Sequence, residues 1–123
     1  MINILLVDDD AGVQNTYGKL LKDEGYQVHR AKDVETATSL MIFNPVDIVL
    51  LDINMPKLGG DIMKEIIQIY NRRIKVIVAS VLPLDVQRKK IPDADEYFDK
   101  SHGTEVLLKL IKEVLLKKEQ KSA

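Results

Sequence analysis

The stretch that most constrains the fold is VDIVLLDINMPKLGG, from Val46 to Gly60. Its first half is an apolar run, Val46, Ile48, Val49, Leu50 and Leu51, broken only by Asp47. A short run rich in branched side chains suits a strand buried on both faces, as in a parallel sheet covered by helices. The run stops on Asp52 and passes into Asn54, Pro56 and the pair Gly59-Gly60, which are loop residues by type. In open parallel α/β sheets, ligands bind just beyond the carboxyl ends of the strands, so Asp52 stands where such a sheet keeps a working carboxylate. Taken alone, Asp52 is more simply a turn that ends the strand. The residues elsewhere in the chain change that reading.

Ile2 to Val7 is a second buried-strand run, ended by Asp8, Asp9 and Asp10. The helix after it shows one face of Val13, Tyr17, Leu20 and Leu21, with Gly25 where a C-terminal cap belongs. Tyr26 to Ala31 reads as an outer strand, and Asp33 caps a helix whose face is Val34, Ala37, Met41 and Ile42. Asn44-Pro45 closes that helix, because a residue before proline disfavours helical geometry. Ile62, Met63, Ile66, Ile67 and Tyr70 line a third helix, with Met41 and Met63 as core positions and Met55 in the loop. Ile74 to Ala79 is a strand stopping at Ser80, and Asp85 to Lys90 offers a short or irregular fourth helix between Pro83 and Pro92. Glu96 to Asp99 is a brief strand followed by Lys100, and the last helix starts near Thr104 with Val106, Leu107, Leu110, Ile111, Val114 and Leu115 at helical spacing. Five strands alternating with five helices predict an α/β fold, a doubly wound five-stranded parallel sheet with helices on both faces. The domain is expected over residues 1–119, with 120–123 a frayed tail.

The 123 residues favour one domain, and a hydrophobic share of 46% with 30% charged residues is ordinary for a globular chain. A net charge of −1 gives no electrostatic reason to expect nucleic acid or an anionic membrane as direct partner. The absence of cysteine excludes disulfides, thiol catalysis and cysteine–zinc sites. The N-terminal run lacks the pattern of a signal peptide, and a cytoplasmic protein is expected. His29 and His102 have no ligand-like spacing and are expected at the surface.

Four strands therefore end in polar groups: Asp8/Asp9, Asp52, Ser80 and Lys100. Parallel strands would bring all four ends to one edge of the sheet. Carboxylates a few ångströms apart repel by on the order of 1 kcal/mol or more per pair, and a divalent cation relieves this. All-oxygen ligation favours magnesium, calcium or manganese. A metal, a nucleophilic carboxylate and a lysine are the parts that take up a phosphoryl group as an aspartyl phosphate. Asp10 is assigned to capping the first helix rather than to the metal.

The segments ILLVDDD, VDIVLLDINMPKLGG, VIVAS and EYFDKS, in this order, resemble the signature segments of response-regulator receiver domains of two-component signalling (the CheY-like family). The resemblance covers essentially the whole chain. It implies the flavodoxin-like sheet with strand order 2-1-3-4-5. By the same resemblance Asp52 is the phosphoacceptor, and Asp8 and Asp9 hold Mg2+ (Mn2+ as the alternative) together with Asp52 and the main-chain carbonyl of Asn54. Ser80 is the switch hydroxyl, Lys100 the phosphate-contacting lysine and Tyr97 the aromatic that changes rotamer. Val81 belongs to the phosphate-binding segment. The implied partners are a histidine kinase or phosphotransfer protein and a downstream protein target, with a phosphorylation-dependent dimer as a further state. The domain is not an enzyme beyond assisting its own phosphotransfer and slow autodephosphorylation.

The chain departs from the family pattern at two points. Ser101 stands where proline usually follows the lysine, and a non-proline cis bond costs about 2.5–4 kcal/mol, so a trans loop is expected. Val81 is larger than the usual residue and is expected to narrow access to the phosphoryl group. Two other functions compete: a receiver-like binding scaffold that is never phosphorylated, and a phosphohydrolase using an aspartyl nucleophile. The scaffold is disfavoured by the full set of acids, Ser80 and Lys100. The hydrolase is disfavoured because Asn54 occupies the place of its second acid.

Overall fold

The structure, a computed structural model, describes residues 1–54 and 60–122. The predicted loop residues Met55, Pro56 and Gly59 lie outside the described residues. The elements run β1 (Asn3–Val7), α1 (Ala11–Asp23), β2 (Gln27–Ala31), α2 (Val34–Phe43), β3 (Ile48–Leu51), α3 (Gly60–Tyr70), β4 (Lys75–Ser80), α4 (Leu84–Lys90), β5 (Glu96–Asp99) and α5 (Thr104–Ser122). All strand pairs are parallel, and the sheet order is β2-β1-β3-β4-β5. The alternating α/β reading and the expected strand order both hold.

Side chains alternate across the strands and sort into two cores. Leu5, Val7, Val49, Leu51, Val76 and Val78 face Ala37 and Met41 of α2 and Met63 and Ile67 of α3. Ile4, Leu6, Ile48, Leu50, Ile77 and Ala79 face Tyr17 and Leu21 of α1 and Leu107, Ile111 and Val114 of α5. The all-apolar runs seen in the sequence are thus explained: both faces of β1, β3 and β4 are covered, so neither can be polar.

Local chemistry sets the helix ends. Asp10 caps α1 by accepting from the Gly12 and Val13 amides, and Asp33 caps α2 by accepting from Thr36. Gly25 has φ of 92°, a left-handed value that glycine adopts without penalty and that lets the chain turn from α1 into β2. Asn44 before Pro45 is extended, as expected. Four apolar helix positions predicted to pack are instead substantially exposed: Ile42, Ile62, Tyr70 and Val106. Successive helix residues are rotated by about 100°, so with Met41, Met63 and Leu107 pointing inward their neighbours turn outward. His29 is also only half-buried at the surface, and its Nε2 is shielded from solvent without a partner.

Candidate functional site

The register fixes where the strands stop. Val7 pairs with Leu51, and the Asp52 amide then donates to Val7 O at 2.9 Å, so Asp8 and Asp52 leave adjacent strands side by side. Ser80 pairs with Asp99 at the end of the β4–β5 ladder, and the Lys100 amide donates to Ser80 O at 2.8 Å. The predicted strand-end residues therefore share one edge because all their strands run the same way.

Asp8, Asp9 and Asp52 each offer a carboxylate oxygen, and these atoms lie within 4.8 Å of one another. Asp8 is 2% exposed and Asp52 5%, while Asp9 is exposed, so the cluster opens to solvent on one side. Lys100 Nζ is 2.6 Å from Asp8 Oδ2 and 3.9 Å from Asp52 Oδ1. Lys100 thus reaches two of the three clustered acids, and the cluster carries more negative charge than this ammonium balances. Burial pushes the Asp52 carboxyl above its ordinary value, the Asn54 amide and Lys100 oppose this, and Asp8 and Asp9 add to it. The charge imbalance and the all-oxygen donor set fit a small hard dication such as Mg2+.

Backbone amides orient the acids. The Asp10 amide donates to Asp8 Oδ1 at 2.9 Å, and the Asn54 amide donates to Asp52 Oδ1 at 3.0 Å. Asx turns of this kind fix each carboxylate by the chain just after it. The turn reading of Asp52 and the site reading are therefore both true of the same residue.

Ser80 is fully buried, and its Oγ accepts from the Leu82 amide at 3.1 Å. Val81 next to it is 68% exposed. Tyr97 lies along the segment after α4: its Oη donates to Ile91 O at 2.6 Å and accepts from the Ala94 amide at 3.1 Å. The Arg88 guanidinium stands 5.3 Å from the centre of the Tyr97 ring. The expected absence of a cis bond before Ser101 holds, since the described chain has none. In its place the Ser101 amide and hydroxyl both donate to Asp99 Oδ1, at 2.9 and 2.7 Å. These bonds hold the Asp99 carboxyl below its usual value, the hydroxyl contributing most.

Residues 4–112 match the family model of the response regulator receiver domain. The chain belongs to this family. It is 34% identical over 116 residues to the transcriptional regulatory protein CpxR of Escherichia coli K12, covering 94% of this chain and 50% of CpxR. It spans about half the length of CpxR and of the response regulator RR06 of Streptococcus pneumoniae, another curated relative it matches. Among solved structures it is similar to a CheY-like receiver domain protein of Methanospirillum hungatei, with TM-score 0.88, 27% identity and 98% of each chain covered. It is also similar to the response regulator TrrA of Thermotoga maritima in complex with Mg(2+)-BeF, with TM-score 0.83, 27% identity, and 93% and 99% of the two chains covered. A further structure holds TrrA in complex with the histidine kinase ThkA. The fold expectation and the membership of two-component signalling are both borne out.

Sequence reasoning missed three side chains that build this receiver's rim. Asp99 was read only as the end of a strand. Gln14 and Gln87, 4% and 0% exposed, were not singled out at all. A signal for Gln14 was present: it shares the 14, 17, 18, 21 stripe of α1 that is buried throughout, so a polar residue there had to find partners inside. Among the described residues no helix is long and apolar enough to cross a membrane.

Proposed function

We propose that this receiver accepts a phosphoryl group on Asp52 from a phosphohistidine of a histidine kinase or phosphotransfer protein. The observation that carries the reading is three carboxylates within 4.8 Å of one another with the Lys100 ammonium between Asp8 and Asp52. A carboxylate oxygen of Asp52 attacks phosphorus, the P–N bond breaks, and the imidazole leaves with the bonding electrons and takes up a proton. Lys100 would pair with a phosphoryl oxygen, and the Ser80 hydroxyl, which accepts from the Leu82 amide at 3.1 Å, would turn toward the phosphoryl group. Asp8, Asp9, Asp52 and the Asn54 carbonyl would hold Mg2+, or Mn2+ in its place, which when bound supplies positive charge between the acids and the incoming anion. The complexes of TrrA with Mg(2+)-BeF and with a histidine kinase support both the ion and the partner.

The output is a shift between two conformations, sized by how differently the phosphoryl group contacts each. Ser80 and Tyr97 are the switch residues of this reading. For Tyr97 to move, its bonds to Ile91 O and the Ala94 amide must break, which ties the switch to the end of α4. Residues 1–119 act as the receiver unit in the cytoplasm, signalling to a protein target or a second copy of the chain, without direct contact with nucleic acid or membrane. Turnover is limited to slow loss of the aspartyl phosphate.

Incubation with Mg2+ and acetyl phosphate tests the reading. The expected result is a mass increase of one phosphoryl group, stable enough to isolate and absent in Asp52→Asn. No adduct and no response to Mg2+ would make the chain a binding scaffold, and rapid multiple turnover would make it a hydrolase. In the same assay Val81→Ala should label and hydrolyse faster if Val81 narrows the entrance, and equal rates would remove that role.

A further inference from the structure

Gln87 is the most buried polar residue of α4, and its amide reaches three main-chain carbonyls. Nε2 donates to Leu82 O at 2.7 Å, to Phe98 O at 3.0 Å and, more weakly, to Ser80 O at 3.4 Å. Its Oε1 is buried and has no hydrogen-bond partner among the described residues. A buried acceptor left unmade is unfavourable, so the side chain is held there by what it donates, not by what it accepts.

The three carbonyls are not a random set. Ser80 O also accepts from the Lys100 amide at 2.8 Å, so it joins both donors of the rim. Leu82 belongs to the loop whose amide holds Ser80 Oγ, and Phe98 lies two residues before Lys100. Beyond the Ser80–Asp99 pair the β4–β5 ladder ends, and Gln87 bridges the two strands there. The helix that carries it has seven residues, and its N-cap, Pro83, makes no side-chain bond. Arg88 beside it stacks over Tyr97.

We propose that Gln87 is a positioning residue for phosphoryl transfer: it sets the Ser80 hydroxyl and the Lys100 ammonium against Asp52 and transmits the state of that rim to α4. The proposal rests on the receiver reading above. Gln87 touches neither phosphate nor metal and acts through the carbonyls it gathers. A residue that merely filled the core would affect stability alone.

Gln87→Met keeps the length of the side chain and removes the donor. In the full chain it should leave the Mg2+ dissociation constant within about twofold, because the acids lie on other strands. Labelling by acetyl phosphate should slow about tenfold, as expected for a small misplacement of a reacting group. Ser80→Ala should slow the unsubstituted chain but add nothing further to Gln87→Met. An unchanged labelling rate, or two losses that simply multiply, would overturn the proposal. If Gln87→Met does not fold, the unsubstituted chain decides: the Gln87 side-chain amide protons should shift on adding Mg2+ and beryllofluoride, and unshifted signals in a chain that has formed the adduct overturn the proposal alone. A chain that forms no adduct at Asp52 overturns the receiver reading, and this proposal with it.

Discussion

Asp8 and Asp52 stand at the ends of β1 and β3 in the middle of the sheet, whereas Lys100 follows β5 at its edge. Behind the acids, β1 is buried from Ile4 onward and β3 throughout. α1 adds 13 residues and a cap that accepts two amides. Behind Lys100 the edge strand has four residues, only Phe98 of them fully buried, and the helix before that strand, α4, has seven with no capping side chain. Each half is closed by a glutamine: Gln14 Nε2 donates to Asp8 O at 2.8 Å and Ala31 O at 2.7 Å, much as Gln87 does on the other side. The contrast teaches a division of labour. The acids Asp8 and Asp52 sit at the ends of strands buried on both faces, whereas Lys100 follows a short edge strand with less apolar area to disturb.

The largest effect should come from cutting the bridge between the halves. Lys100→Met leaves Asp8 buried without its 2.6 Å partner, and a loss of about 3 kcal/mol in urea unfolding is expected without metal. Mg2+ should restore part of that loss by replacing the missing positive charge. No loss would mean that the two halves are held independently.

Removing a charge from the acidic half should act in the opposite direction. Asp52 binds a proton more readily in the folded chain than in the unfolded one. Its contribution to stability is therefore full below the ordinary carboxylate range and is lost as pH rises through its raised folded value. Asp52→Asn lacks this loss and relieves repulsion with Asp8 and Asp9, so at neutral pH without metal it should be more stable, by on the order of 1 kcal/mol. The advantage should shrink in acid, as melting curves across pH would record. A pH-independent difference would show that packing, not charge, separates the two proteins.

The smallest effect concerns the caps. Asp10→Ala should cost about 1 kcal/mol by freeing the Gly12 and Val13 amides. Pro83→Ser offers α4 the cap it lacks and should change stability by only a few tenths of that, since the proline also restricts the unfolded chain. Equal responses at both helices, by thermal melting, would erase the distinction between the halves.

The layered fold was legible because the chain states it locally. Apolar runs of strand length at Ile4–Val7, Ile48–Leu51 and Val76–Ala79 need cover on both faces, and amphipathic helices lie between them. Outward positions such as Ile42 and Tyr70 were misread because an apolar side chain carries no sign of its direction once a neighbour fills the core. The sequence suggests Tyr97 as a switch aromatic, but its hydrogen bonds to Ile91 O at the end of α4 and to the Ala94 amide beyond it could not be anticipated from spacing. Ser101 was seen as a departure, but not that Asp99 would brace it.

The sequence by itself determined which residue types end the strands, because a buried strand is apolar and its chemistry must begin where burial stops. It also determined the helices through their caps, glycine and proline. Only the tertiary structure decided that Lys100 reaches Asp8 more closely than Asp52, that Ser80 turns its hydroxyl to its own loop, and that two glutamines gather carbonyls from separate strands. Those contacts join residues up to 92 positions apart, and their distances follow from strand register and helix packing, which no local pattern encodes.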